Sequence, residues 1–437
     1  MHCLTDFKNF ASAELNLFEP LTVLLGRNGS GKTNLIEGVE LLATLARGVP
    51  FNEITDVDRG GSFEVRGGLR WCIRFGAAKL ELRFDQAVIP FRGKRQSVDY
   101  FIEIALNGRN DVQLSAERLR IGDRDLFDAT NCGGELMEIK YSNFKPGRNP
   151  GAQVSASRSV LSRYEEIVSS NHTNSPSLRE STGLVRSMRR YLRNSYIFDP
   201  QPKAMREYAR VDSNPRLLRS GANLSAVLFA LSESHEKNEE QQATLQRITD
   251  VIRQIPEEAF TRIGFAETSL GDVMAGFVSD AGGEKNGGKL VDARLLSDGT
   301  LRMLGIVTAL ETVPEFSRIV IEEFDNGLHP SRAKLLVHTL FETASRRKLN
   351  VLVTTHNPAF MDALDEPHMN SVLICHGDES SGGSRVTKLG DMNIAGTIGL
   401  RGGLGDFVTR GALEEHLAPD FLERRSRKTR EWIESLS

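Results

Sequence analysis

The sequence is short of cysteine and of net charge, and it has no long apolar run. Its four cysteines, Cys3, Cys72, Cys132 and Cys375, stand far apart and form no C-x-x-C pair. That spacing argues against a disulfide framework or a zinc knuckle and fits a reducing, cytoplasmic setting. No stretch approaches the roughly 18 apolar residues of a membrane-spanning helix. Met1 to Phe10 carries Asp6 and Lys8 and lacks an apolar run, so no secretory leader is expected. With 55 Lys and Arg against 58 Asp and Glu, the net charge is −3, and any nucleic-acid surface must be a local patch. No internal repeat is present. What remains is an ordinary globular composition over 437 residues, enough for two or three domains.

Against this plain background one stretch stands out, Leu21 to Asn34, reading LTVLLGRNGSGKTN. Leu21–Leu25 is a short apolar run that predicts a strand. A glycine turn follows and closes on Gly31-Lys32-Thr33. Leu35, Ile36, Val39 and Leu42 then fall on one face of a helix over 34–48. Strand, turn, Lys-Thr and helix make the phosphate-loop pattern G-x-x-x-x-G-K-[ST]. Glycines let the backbone curl its N–H groups around an anion, and the helix start turns its positive end to the same place. Arg27, Asn28, Gly29, Ser30, Gly31, Lys32, Thr33 and Asn34 are the expected nucleotide contacts. Lys32 supplies an ammonium for the outer phosphates and Thr33 a hydroxyl for Mg²⁺.

Two later strands end in polar clusters. Arg318-Ile319-Val320-Ile321 reads as a buried parallel strand and stops at Glu322-Glu323. Carboxylates there are costly unless a cation meets them. A Mg²⁺ held by one of them and a water oriented by the other answer that cost. Val351–Thr355 is a further apolar strand, followed by His356-Asn357-Pro358, where His356 can meet a γ-phosphate or its attacking water. Ser297, followed by Asp298 and Gly299, starts a helix whose buried face carries Leu301, Leu304 and Leu310.

Elsewhere, residues 1–20 predict two short strands. Alternation from Phe63 to about Val112 predicts antiparallel strands of a side sheet, with Phe63, Val65, Leu69, Trp71, Ile73 and Phe75 as the first of them. Residues 128–180 read as loops between short helices. Arg186, Arg189, Arg190 and Arg193 recur at helical spacing, as a solvated face or a phosphate-contacting ridge. Residues 224–255 look helical, with Leu245, Ile248, Ile252 and Ile255 on one stripe, and Gly282–Gly288 is a turn. The chain divides on this reading into 1–127, 128–260 as an inserted helical arm, and 261–437.

The set Gly26–Thr33, Leu296-Ser297-Asp298-Gly299, Ile319–Glu323 and Thr355-His356 resembles the ABC-type ATPases of the SMC, RecF and OLD branch. Tyr196-Ile197-Phe198-Asp199-Pro200, Gly221-Ala222-Asn223-Leu224 and Glu322–Pro330 look like a narrower prokaryotic group of AAA-type ATP-binding proteins, which includes ATPase subunits of anti-phage systems. The resemblance implies an α/β head with a mixed sheet, an antiparallel side sheet and an inserted helical subdomain. It implies ATP and Mg²⁺ as cofactors, and a homodimer or higher even oligomer closing head to tail. Each ATP would lie between the phosphate loop of one copy and Ser297, Asp298 and Gly299 of the other. Lys32, Glu323 and His356 would then act in catalysis, with Thr33 and Glu322 on the metal. Asp325 to His329 resembles the loop that meets the opposite copy. The chain departs from the family in having Glu322 where an Asp is usual, and Gln86, Gln96 and Gln113 compete as the metal-contacting glutamine.

No nuclease cluster is visible, and 391–437 is too short for a full toprim domain, so a cutting effector would be a separate protein. The competing expectations are a RecF-like DNA-binding or repair protein, motivated by the arginine face and by Arg424, Arg425, Arg427, Lys428 and Arg430, and a slowly hydrolysing nucleotide-gated scaffold.

Overall fold

The computed structural model describes all residues except 18, 58–62, 92–93, 144–148, 172–175, 212–215, 234–238, 256–259, 280–288, 365, 379–381, 393–402, 411 and 418–437. Its centre is set by the apolar runs. β3 (Leu21–Leu25) is buried along its whole length, as is β17 (Arg318–Ile321). β18 (Asn350–Thr355) is buried from Val351 onward. Continuous burial is what parallel strands covered on both faces require. They pair in parallel as β3–β18–β17. β12 (Ser195–Phe198) extends the core in parallel beyond β17, and β19 (Val372–Asp378) beyond β3.

Successive residues of these strands feed opposite faces. Leu24, Val320 and Leu352 join one apolar cluster with α1 (Lys32–Arg47), α2 (Val160–Asn171) and α3 (Pro176–Arg193). Leu21, Val23, Leu25, Ile319, Ile321, Val351 and Val353 join the other, with α5 (Leu224–Ser232), α6 (Glu239–Arg253), α7 (Asp298–Thr312) and α8 (Ala333–Arg347). The short α4 (Pro202–Met205) contributes Met205 to the second cluster. The result is a helix–sheet–helix sandwich with one core on each side.

The side sheet grows from the same sheet. β20 (Gly383–Lys388) pairs antiparallel with β19. β2 (Phe10–Leu15) and β1 (His2–Phe7) come next, and then an antiparallel meander: β6 (Lys79–Phe91), β7 (Lys94–Leu106), β8 (Val112–Ile121), β9 (Arg124–Asn131), β10 (Leu136–Tyr141) and β11 (Gly151–Ser155). Together they form one 14-stranded mixed sheet. A separate small antiparallel sheet joins β13 (Ala209–Arg210), β14 (Phe260–Glu267), β15 (Asp272–Ser279) and β16 (Lys289–Asp292). β4 (Ile54–Thr55) and β5 (Phe63–Glu64) make an isolated pair.

Two local expectations change. The alternation over 63–75 does not continue as a strand. Gly67 and Gly68 have positive φ, Leu69–Cys72 is a 3₁₀ turn, and Trp71 and Phe75 are 64% and 95% exposed. Val65, Leu69, Cys72 and Ile73 are the buried residues there, a spacing of a turn and not of a pleat. Residues 128–155, read as loops, instead continue the sheet through β9, β10 and β11. Met137, Ile139 and Tyr141 are buried and Glu138 and Lys140 exposed, a period of two hidden by the charges between. The 224–255 helical region is two helices, α5 and α6, with 234–238 between them outside the described residues. The Gly282–Gly288 turn and the basic cluster 424–430 also lie outside.

One buried carboxylate joins sheet to helix. Glu117 on β8 is fully buried. It accepts from the Tyr100 and Ser159 hydroxyls at 2.9 Å each and from the backbone N–H groups of Val160 and Leu161 at 2.6 and 2.7 Å. It thereby caps the start of α2 from a neighbouring strand. Burial raises its pKa, against the pull of these donors. A Gln at 117 would set its amide N–H₂ against the backbone N–H of Val160 or Leu161, groups that can only donate. Glu117→Gln is expected to cost about 2 kcal/mol through an unsatisfied buried donor, read as a lower urea midpoint at unchanged slope.

Candidate functional site

The phosphate loop leaves β3 at its C-terminal end. Gly26 has no room for a Cβ, which would stand 2.4 Å from the Cys375 carbonyl oxygen on β19. Gly31, at φ 106°, precedes α1 with no side-chain cap, and the first turn holds no acid. The helix start is therefore open to an anion. Lys32 is half-buried, and its ammonium donates to the Gly26 and Arg27 carbonyls at 2.6 and 3.0 Å. Burial lowers its pKa, while Cys375 and Glu323 pull the other way. Thr33 is exposed. The Ser30 Oγ is buried without a hydrogen-bond partner. Asn34 donates to Asn9 at 2.7 Å and accepts from Arg66 at 2.8 Å, and Arg66 is anchored on Glu37 at 2.9 Å.

The carboxylate loop leaves β17 two strands away, with β18 between. Glu322 is half-buried. Desolvation raises its pKa; Arg219 opposes this, donating to Glu322 Oε1 at 3.1 Å, while Asp199, Glu37 and Glu323 add to the rise. Glu323 is exposed and sits at φ 45°, in the left-handed region. Its N–H donates to Thr354 Oγ1 at 2.8 Å, and its carboxylate accepts from Asn326. Asp325 is 3% exposed; its Oδ2 accepts from Thr355 at 2.7 Å, while Oδ1 is buried and unpaired. Burial raises the Asp325 pKa, with Thr355 and His356 acting against it. His356 is exposed at the end of β18.

Ser297 caps α7. Its Oγ accepts from Thr300 N at 3.1 Å and shares a 2.7 Å hydrogen bond with Thr300 Oγ1. Arg332, nearly buried, reaches the same Thr300 hydroxyl at 3.1 Å. Asp298 is held by Arg206 at 2.5 Å. A Cβ at Gly299 would meet the Gly327 carbonyl oxygen at 2.8 Å. The Ser-Asp-Gly corner thus touches the far end of the carboxylate loop, while Glu323 at its near end acts on Lys32 through its charge. Ser297 and Asp298 are exposed.

The sheet order therefore brings together Lys32, Glu322, Glu323 and His356, which lie up to 324 positions apart in the chain. The exposed Thr33 hydroxyl and the Glu322 carboxylate, whose pKa is raised by burial and by neighbouring carboxylates, are the hard-oxygen donor types that Mg²⁺ prefers. Gln96 and Gln113 stand on β7 and β8, six and seven strands from β3 in the sheet order; Gln86 lies on β6, and its side chain is outside the described residues. The arginine face of α3 is divided. Arg186 pairs with Glu165 and Arg189 donates to the Ala46 carbonyl at 3.0 Å, while Arg190 and Arg193 line a cavity. Arg66 and Arg219 were not found from sequence: no motif carries them, and their partners are set by strand order. Asp325 was legible only as part of a loop resemblance.

A family model described as "AAA domain, putative AbiEii toxin, Type IV TA system" matches residues 21–362, well over half of the chain. An ATP/GTP phosphatase of Helicobacter pylori is 22% identical over 372 residues, covering 83% of this chain and 86% of that protein. The DNA replication and repair protein RecF of Rhizobium etli is 45% identical over 69 residues, and the match spans 15% of this chain and 18% of RecF. Among solved structures, an SMC head bound to the C-winged helix domain of ScpA aligns with a TM-score of 0.47 at 10% identity, covering 88% of this chain and 96% of that one.

Proposed function

The chain belongs to this AAA-domain family, as an ABC-type ATPase of the SMC and RecF branch, and we propose that it works as an ATP-gated dimer controlling a separate effector. The observation that carries the reading is the sheet order: β3, which runs into the loop of Lys32, and β17, which ends at Glu322-Glu323, are parallel strands with only β18 between them. Arg27 to Asn34 wrap the triphosphate, with loop N–H groups and the α1 start facing its charge. Thr33 and Glu322 are the residues that would hold Mg²⁺. When bound, the metal neutralises charge on the outer phosphate oxygens. Glu323 orients and polarises the attacking water, and His356 senses the γ-phosphate. Ser297, Asp298 and Gly299 of a second copy complete the site at the α7 start.

The effector is the finer part of this proposal. The family description names a toxin and a toxin–antitoxin system, which supports a separately encoded partner; an anti-phage setting is part of the proposal. A cytoplasmic location belongs to the same proposal: Cys3, Cys72, Cys132 and Cys375 are free thiols, and no helix among the described residues is long and apolar enough to cross a membrane. RecF-like DNA binding is the second reading, favoured by the short match to RecF and by the exposed Arg190 and Arg193.

Ser297→Asp tests the dimer. Asp is as good a helix cap as Ser, so α7 keeps its start, but a carboxylate would face the γ-phosphate across the interface. The variant is expected to bind ATP normally, stay monomeric by light scattering with Mg-ATP, and hydrolyse at least about tenfold more slowly. A variant that dimerises and hydrolyses like wild type removes the two-copy site.

A further inference from the structure

A cavity of 990 Å³ runs along β12, the strand at the open edge of the large sheet. Arg47, Arg190, Arg193, Arg216 and Arg219 line it, and among the described residues Glu40 is the one carboxylate of the lining. Glu40 is already engaged by Arg47 at 2.7 Å, and Arg47 also donates to the Ser195 carbonyl at 2.7 Å; this pair is structural. Arg190 and Arg193, at the end of α3, are exposed, and among the described residues no carboxylate pairs with either. Arg216 lies 4.0 Å over the Tyr196 ring. The walls thus gather guanidinium groups that repel one another unless an anion joins them.

Arg219 faces two ways. Its backbone is fastened beside β12, where Asp199 N–H donates to the Arg219 carbonyl at 2.9 Å and Gln201 N–H to that of Ser220 at 3.0 Å. Its side chain is 60% exposed, lines the cavity, and bonds Glu322. We propose that this cavity binds a phosphate-bearing ligand of nucleotide size, and that Arg219 shares its charge between that ligand and Glu322. Planar guanidinium forks match phosphate oxygens two at a time, and the volume is that of a small-molecule site. When the ligand draws Arg219 across, Glu322 is released to serve the metal of the nucleotide site. The binding half stands on the cavity alone; the coupling half rests on the proposed role of Glu322.

The test uses the full chain carrying Lys32→Ala, so that the phosphate loop does not report. AMP by calorimetry and a fluorescent twelve-residue oligothymidylate by anisotropy are the probes, with a glutamate peptide as control. One AMP per chain, weakened at least about tenfold by Arg193→Ala with Arg216→Ala, supports a free nucleotide as the source. The same sensitivity for the oligonucleotide alone supports nucleic-acid phosphate. Both variants must keep the wild-type melting temperature, as exposed positions should. Binding of neither probe at low salt, binding indifferent to those substitutions, or equal binding of the glutamate peptide overturns the site.

Coupling is read with Lys32 intact. The bound probe is expected to lower the Mg²⁺ concentration for half-maximal phosphate release by about threefold or more, and Arg219→Ala to remove that shift. A site that binds without any such shift overturns the coupling. Absence of hydrolysis under every condition would instead sink the ATPase reading and leave the binding result standing.

Discussion

Glu323→Gln is expected to slow phosphate release about 10²–10³-fold while leaving ATP binding intact, because the amide cannot take or polarise the proton of the attacking water. The structure makes this substitution unusually clean. Glu323 is exposed at the end of β17, so an isosteric change there leaves no cavity. Its backbone is held at φ 45°, with N–H bound to Thr354. A non-glycine residue in that region is sparsely populated and persists where its surroundings fix it. Gln makes the same backbone demand as Glu, and its amide oxygen can still accept from Asn326. The variant should also accumulate a long-lived ATP dimer, visible by light scattering, since closure no longer ends in hydrolysis. Equal and near-zero rates for wild type and variant would favour the slowly hydrolysing scaffold. Equal, appreciable rates would remove Glu323 from the chemistry.

The parts of this site that the sequence reveals are those that lie on buried parallel strands. Such strands are covered on both faces and largely apolar, so the glycine or charged residues that follow each run mark its end, and in a parallel sheet those ends share one edge. Gly26, Glu322 and His356 were found that way, and the fold puts their strands side by side as β3, β17 and β18. Pairings across elements carry no such mark. Arg219 meets Glu322 because β12 lies next to β17, and Arg66 reaches Glu37 and Asn34 from a turn whose spacing imitates a strand. The reading failed in opposite senses at two places. Glycines with positive φ broke the alternation at 63–75, whereas charged outward residues concealed a true alternation at 136–141.

Lys32→Ala should have the second large effect, on binding. The ammonium already points into the loop, satisfied by the Gly26 and Arg27 carbonyls. An incoming triphosphate replaces or shares those acceptors with anionic oxygens. Hydrogen bonds to charged groups contribute about 1.5–3 kcal/mol each, so losing the contacts to two phosphates should weaken ATP roughly 10²–10⁴-fold. Thermal unfolding gives a direct measure. At about 100 times its dissociation constant, ATP adds about 2.7 kcal/mol to the folded state. A hundredfold weaker variant at the same concentration gains only roughly 0.4 kcal/mol, so the ATP-induced rise in melting temperature should nearly vanish. Without ATP the two proteins should melt together, since the freed carbonyls lie in a loop open to water. Glu323→Gln must keep the full rise, because its carboxylate acts on the water and not on the bound ground state. If Lys32→Ala kept that rise as well, the nucleotide would have to be held away from this loop, and Glu323 would lose its substrate.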